Sequence, residues 1–151
     1  MERDETRVVV GVDGSPDSLA ALRRAALEAS VRGAVLVPVL ARRPDDKVPE
    51  RAARLLLDAA FDVALGGWPN DILVHPTVAT GLPGPALVAA VGGPADLLLL
   101  GAPHHRWAHP HGDRTARHCR GHAPCPVLTV SAPPIGKMAA RIANSPTAAP
   151  S

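Results

Sequence analysis

Five short apolar runs alternate with helix-patterned stretches along this chain, and that alternation restricts the possible fold more than any other feature. The runs are Thr6–Val12 (TRVVVGV), Val35–Leu40 (VLVPVL), Ile72–Ala79, Ala95–Gly101 (ADLLLLG) and Pro126–Val130. They do not alternate polar with apolar residues, as expected of strands buried on both faces. Between them, Pro16–Arg32, Pro49–Leu65, roughly Pro85–Val91 and roughly Asp113–Gly121 read as helices. The order β-α-β-α-β-α-β-α-β with short connections calls for a parallel sheet covered by helices on both faces.

The element boundaries have local causes. Ser15 is placed to cap the first helix and Pro16 to occupy its first position. Leu19, Leu22, Ala26 and Ala29 then fall on one face, with Arg24, Glu28 and Arg32 opposite as an ion-pair ladder, and Gly33 stops the helix. The second helix turns Ala53, Leu57, Ala60 and Ala64 inward and ends at Gly66-Gly67. Pro38 lacks the N–H an interior strand needs, so it is predicted near the end of its strand or at a bulge; Pro76 weakens the third strand. Residues 1–130 form the domain, and the Ala-, Pro- and Ser-rich residues 131–151 are predicted to be a disordered tail.

Composition removes several functions. The chain has 151 residues, 46% of them apolar, which suits one globular domain. Aromatics make up 2% (Phe61, Trp68 and Trp107, with no tyrosine), so base stacking is excluded and nucleic acid is not an expected partner. No apolar run reaches the roughly 20 residues of a membrane span. The mixed-charge start, Met1-Glu2-Arg3-Asp4-Glu5, runs into a strand with no signal peptide, and two cysteines make no disulfide framework. A cytoplasmic location is expected. Charge is uneven: residues 1–96 carry 10 basic and 13 acidic side chains, whereas the rest carries 6 basic and one acidic, Asp113. Six of the seven histidines lie between His104 and His122.

In doubly wound sheets, ligands sit outside the carboxyl ends of the strands where strand order reverses. Gly11–Pro16 and Gly101–Thr115 are the segments to inspect. There the chain resembles the universal stress protein family. VVVGVDGSPDS is similar to that family's first strand, acidic residue and helix cap; ADLLLLGAPH and HAPCPVLTV are similar to its fourth strand, the start of its phosphate loop and its last strand. The likeness spans residues 6–130. It implies a five-stranded α/β fold with strand order 3-2-1-4-5, a homodimer paired through the last strand, ATP binding in many members, and regulatory roles. At Asp13 it implies a nucleoside contact, and at Val39 a backbone contact to adenine.

The ATP-binding members carry G-x2-G-x9-G-[ST] after the fourth strand, and here the chain departs from that pattern. Gly101 matches the first glycine, but His104 stands at the second. Counting forward puts the third glycine on Arg114 and the hydroxyl on Thr115; counting back from HAPCPV puts the same pair on Asp113 and Arg114. Phosphate oxygens must approach backbone N–H groups closely, so a Cβ at two of three positions crowds a triphosphate. The expectation is a degenerate or altered nucleotide site, with AMP or another small anion a better fit than cradled ATP. Asp13, Val39, Gly101, Arg114 and Thr115 are its candidate residues. The alternative is an ATP-binding member with slow hydrolysis or phosphate transfer.

Each feature also has a plainer explanation. Asp13 can simply organise the Asp-Gly-Ser-Pro turn. Arg114, Arg117 and Arg120 at i+3 steps, with Arg106, either hold an anion or form a solvated basic face. His118 and His122 have the i,i+4 spacing of a metal pair, but Gly121 is predicted to end the helix between them, so no metal is expected. Cys119 and Cys125 have no paired base, and no catalytic residue is assigned.

Overall fold

The computed structural model describes residues 5–42, 50–102 and 110–133, and of residues 110–113 the backbone only. Nine elements follow in order: β1 (Arg7–Gly11), α1 (Pro16–Arg32), β2 (Val35–Arg42), α2 (Glu50–Leu65), β3 (Thr77–Thr80), α3 (Pro83–Ala90), β4 (Leu97–Gly101), α4 (Pro110–His122) and β5 (Val127–Val130). The strands form one sheet in the order β3-β2-β1-β4-β5, and every pairing is parallel. The strand order that the resemblance implied is the one observed. Among the described residues, no helix is long and apolar enough to cross a membrane.

The unbroken apolar runs are explained by two cores. Val8, Val10, Leu36, Leu40, Leu97 and Leu99 pack with α1 and α2 on one face; Val9, Val35, Val37, Val39, Leu98 and Leu100 pack with Leu87 of α3 and Ala116 and Cys119 of α4 on the other. Successive side chains enter opposite cores, so both parities are apolar. α1 begins at the Ser15 cap, whose side chain accepts from the Ser18 amide, and it ends at Gly33 in the left-handed region, φ 63°. On its exposed side, Glu28 bonds Arg24 at 2.9 Å and Arg32 at 3.1 Å. These guanidiniums hold the Glu28 carboxyl below its ordinary value. Beyond α2, the Trp68 ring stacks on Phe61 at 4.1 Å.

Pro38 departs from expectation. It lies in the middle of β2, fully buried and in register with Val10 of β1. In a parallel strand, successive backbone groups face alternate neighbours. Val35 and Val39 bond toward β1, through Val35 N–H to Thr6 O and Val12 N–H to Val39 O; Leu36 bonds toward the β3 side, donating to Leu73 O and accepting from His75 N–H. Pro38 therefore aims its missing donor at the β3 side, and its ladder to β1 is intact. There the register places it opposite Pro76, between the Leu36–Val74 bridge and the Val39–Thr77 pair. The same gap shortens β3, which begins at Thr77 rather than at Ile72.

Two helices are longer than predicted. α3 starts at Pro83 and includes Gly84. α4 starts at Pro110, three residues early, and continues through Gly121 to His122. A single exposed glycine costs a helix only about 1 kcal/mol, which tertiary packing overrides. Pro49 and residues 134–151, which hold most of the predicted tail, lie outside the described residues.

Candidate functional site

The strand order reverses between β1 and β4, and the chain condenses around their carboxyl ends. Beyond β1, Gly14 takes φ 83°, which lets the Asp-Gly-Ser-Pro turn fold back into α1. Asp13 is exposed, and its carboxylate accepts the Ser15 amide at 2.9 Å, the side-chain turn its plainer explanation required. The Asp13 amide donates to the Ser18 hydroxyl at 3.0 Å, and that hydroxyl donates to Gly11 O at 3.3 Å. Ser18 is buried, so this bond fixes the exit of β1 against the first turn of α1.

Gly101 ends β4 at the same place. A Cβ there would lie 2.8 Å from both the Asp17 carbonyl carbon and the Ser18 nitrogen, so its first constraint is the approach of α1. Asp17 is buried, and its carboxylate accepts the Ala132 amide at 2.7 Å, tying the segment after β5 to α1. Neither Ser18 nor Asp17 was singled out from the sequence. The Ser-Pro-Asp-Ser run pointed to a cap, but the partners at residues 101 and 132 are invisible in local pattern.

The other candidates are placed differently. Val39 is buried in β2, and its carbonyl accepts the Val12 amide at 2.9 Å. Arg114 is exposed and Thr115 half-buried, both inside α4, whose inner side seats Ala116 and Cys119 in the core. His104 and Arg106 lie outside the described residues. Asp13 and Gly101 are thus joined through Ser18 and Asp17. Arg114 and Thr115 belong to a separate element packed chiefly on α3.

The cysteines are core residues. Burial pushes the Cys119 thiol up to about 11, and burial with the nearby Asp96 charge pushes Cys125 up. At the opposite end of the sheet, buried Asp96 accepts from the amides of Arg7 (2.9 Å), Gly92 (2.6 Å) and Gly93 (3.1 Å). A groove of about 560 Å³ lies between α3 and the β2–β3 face, lined by Arg7, Val37, His75, Thr77, Ala86 and Ala89 among others. It does not include Asp13 or Gly101. Among the described residues, no group of three or more His, Cys, Asp or Glu is arranged to hold a metal ion.

The architecture is a doubly wound α/β domain of the class that receives ligands at a strand-order reversal. The model of the universal stress protein family matches residues 5–131, and the chain belongs to that family. It is similar to a universal stress protein solved in complex with cAMP, at 26% identity and TM-score 0.61 over 83% of this chain and 95% of that one. It also shares its fold with the universal stress protein UspA from Lactobacillus plantarum, at 17% identity and TM-score 0.58 over 85% and 99% of the two chains. No curated protein matches the chain.

Proposed function

We propose that this universal-stress-type domain is a regulatory or stress-response module whose nucleotide site is altered, so that it takes a small adenine nucleotide such as AMP, or another small anion, and does not cradle ATP. The observation that carries this reading is the start of α4 at Pro110. Only the first four N–H positions of a helix are left without an intrahelical partner, and proline has no N–H to offer. By i→i−4 geometry, the amides of Arg114 and Thr115 are directed at the carbonyls of Pro110 and His111. On the forward count, the backbone donors of the last two matched positions, Arg114 and Thr115, are therefore spent within the helix. The similar protein in complex with cAMP supports an adenine nucleotide bearing one phosphate as the ligand class.

Asp13 is the proposed nucleoside contact and Val39 the proposed backbone contact to the base, with Gly101 opening the altered phosphate loop and Arg114 and Thr115 the side chains nearest the phosphate. We place the protein in the cytoplasm, as a homodimer paired through β5, which is the end strand of the sheet among the described residues. We take residues 1–130 as the domain and the residues after it as a tail whose first part is held to α1 through Ala132. Calorimetry with AMP, cAMP, ADP and Mg-ATP tests the site. AMP or cAMP binding more tightly than Mg-ATP, and weakened by Asp13→Ala, is the expected result. Micromolar Mg-ATP affinity, with slow release of phosphate, establishes the ATP-hydrolysing alternative instead. A monomeric mass at high protein concentration overturns the dimer.

A further inference from the structure

The second helix carries two apolar faces, and the fold uses one of them. Ala53, Leu57, Ala60, Phe61 and Ala64 of α2 are buried in the core. Leu55, Leu56 and Val63 are left 60%, 56% and 67% exposed, and Ala59 beside them is exposed as well. At about 100° per residue, these four and half-buried Ala52 share one continuous arc, bordered on one side by Arg51 and Asp62. Contiguous apolar surface of this kind marks an interaction site, as scattered single residues do not. α2 packs against β2 and β3, so the arc lies at the far end of the sheet from β5.

The charges on α2 oppose their own helix. A helix favours acids near its N-terminus and bases near its C-terminus. Here Arg51 and Arg54 stand in the first half, Asp58 and Asp62 in the second, and the last turn has no basic residue; only Glu50 conforms. On α1 the exposed charges pair as a ladder, whereas among the described residues Arg51 and Asp62 have no ion-pair partner. An antiparallel second copy reverses the mismatch, since each end of α2 then meets the opposite end. With the twofold axis between residues 57 and 58, Leu56 faces Ala59 of the second copy and Val63 faces Ala52. Arg51 then falls within two residues of Asp62 of the second copy, about 3 Å along the helix axis. Large side chains meet small ones, and both ends of the contact carry an Arg–Asp pair. We infer that the outer face of α2 docks antiparallel on the same face of a second copy of this chain. The contact is isologous, so the Arg51–Asp62 pair occurs twice in it. A partner of single charge sign would be repelled by one half of the helix. One helix pair buries less than the roughly 1,200 Å² of a stable interface, so the contact is weak. It depends neither on the proposed β5 pairing nor on the nucleotide site.

Sedimentation of the full-length chain and two charge-reversed variants at low salt tests the surface. Arg51→Glu sets acid against acid at both ends of the contact, and Asp62→Arg sets base against base. Each variant alone is expected to self-associate about tenfold more weakly than the parent, and added salt to narrow the difference. Mixed in equal amounts, the two variants carry opposite charges at both ends, so association returns to the parent level. Both residues are exposed, so neither variant threatens the fold. A short bismaleimide reads the register: Ala59→Cys crosslinks to itself near the twofold axis. Val63→Cys does not, because its two copies stand about 16 Å apart along the helix. If β5 does not pair, the same pattern is read on a monomer–dimer equilibrium instead of on larger species. A mixture that associates no better than either variant alone, or equal crosslinking of Ala59→Cys and Val63→Cys, overturns the inference.

Discussion

The backbone of Gly101 meets the first turn of α1 so closely that a single added carbon would lie 2.8 Å from Asp17 and Ser18. Gly101→Ala is expected to force the end of β4 and α1 apart, at a cost of about 1–3 kcal/mol. Gly93→Ala, at a position with open space around it, is the control and changes stability by less than about 0.5 kcal/mol. Urea denaturation of the two variants measures the difference.

Asp17 holds the Ala132 amide, and Asp17→Ala deprives that part-buried donor of this acceptor. Stability should fall by about 1–3 kcal/mol. The local signature is sharper: hydrogen exchange at the Ala132 amide should accelerate far more than exchange in β1. Equal acceleration at both places would mean general destabilisation instead.

Asp96 gathers three backbone amides from the start of β1 and the turn before β4. Asp96→Asn substitutes a neutral amide, itself partly a donor, for a carboxylate facing three donors. A loss of roughly 2–4 kcal/mol is expected, since bonds to a charged acceptor are the stronger kind. Thermal and urea unfolding should both register it.

The raised Cys119 thiol makes stability depend on pH in the alkaline range. An unfolded chain releases the thiol proton near pH 9, whereas the folded chain retains it until about 11. Between those values the folded state binds more protons, so stability falls as pH rises, by about 2–3 kcal/mol across the window. Below pH 8 the thiol contributes no slope. Cys119→Ala should show a flatter alkaline profile than the parent protein, and in the native parent neither buried cysteine should react with iodoacetamide at pH 8.

Element order and strand burial were legible because they rest on composition within short windows. VVVG, VLVPVL and LLLL admit few alternatives once both faces of the sheet are apolar. Pro38 shows where that reasoning stops: its tolerance depends on which neighbour its missing N–H faces, a property of register. Gly121 was read as a stop, yet packing of Ala116 and Cys119 carries α4 past it. At the site, Asp13 and Gly101 stood out from motif alone. Their linkage through Ser18 and Asp17 did not, because it joins residues more than 80 positions apart.

The bond from Ala132 to Asp17 spans 115 residues of sequence. A ribosome therefore delivers α1 long before the chain that completes its first turn exists. β1, the central strand, likewise waits for β4 before its second edge is paired. Contacts this distant slow folding and leave apolar strand edges uncovered during synthesis. For a nascent chain of this protein, β1 gains its second neighbour only once β4 has emerged, and the first turn of α1 gains its last partner only once residue 132 has.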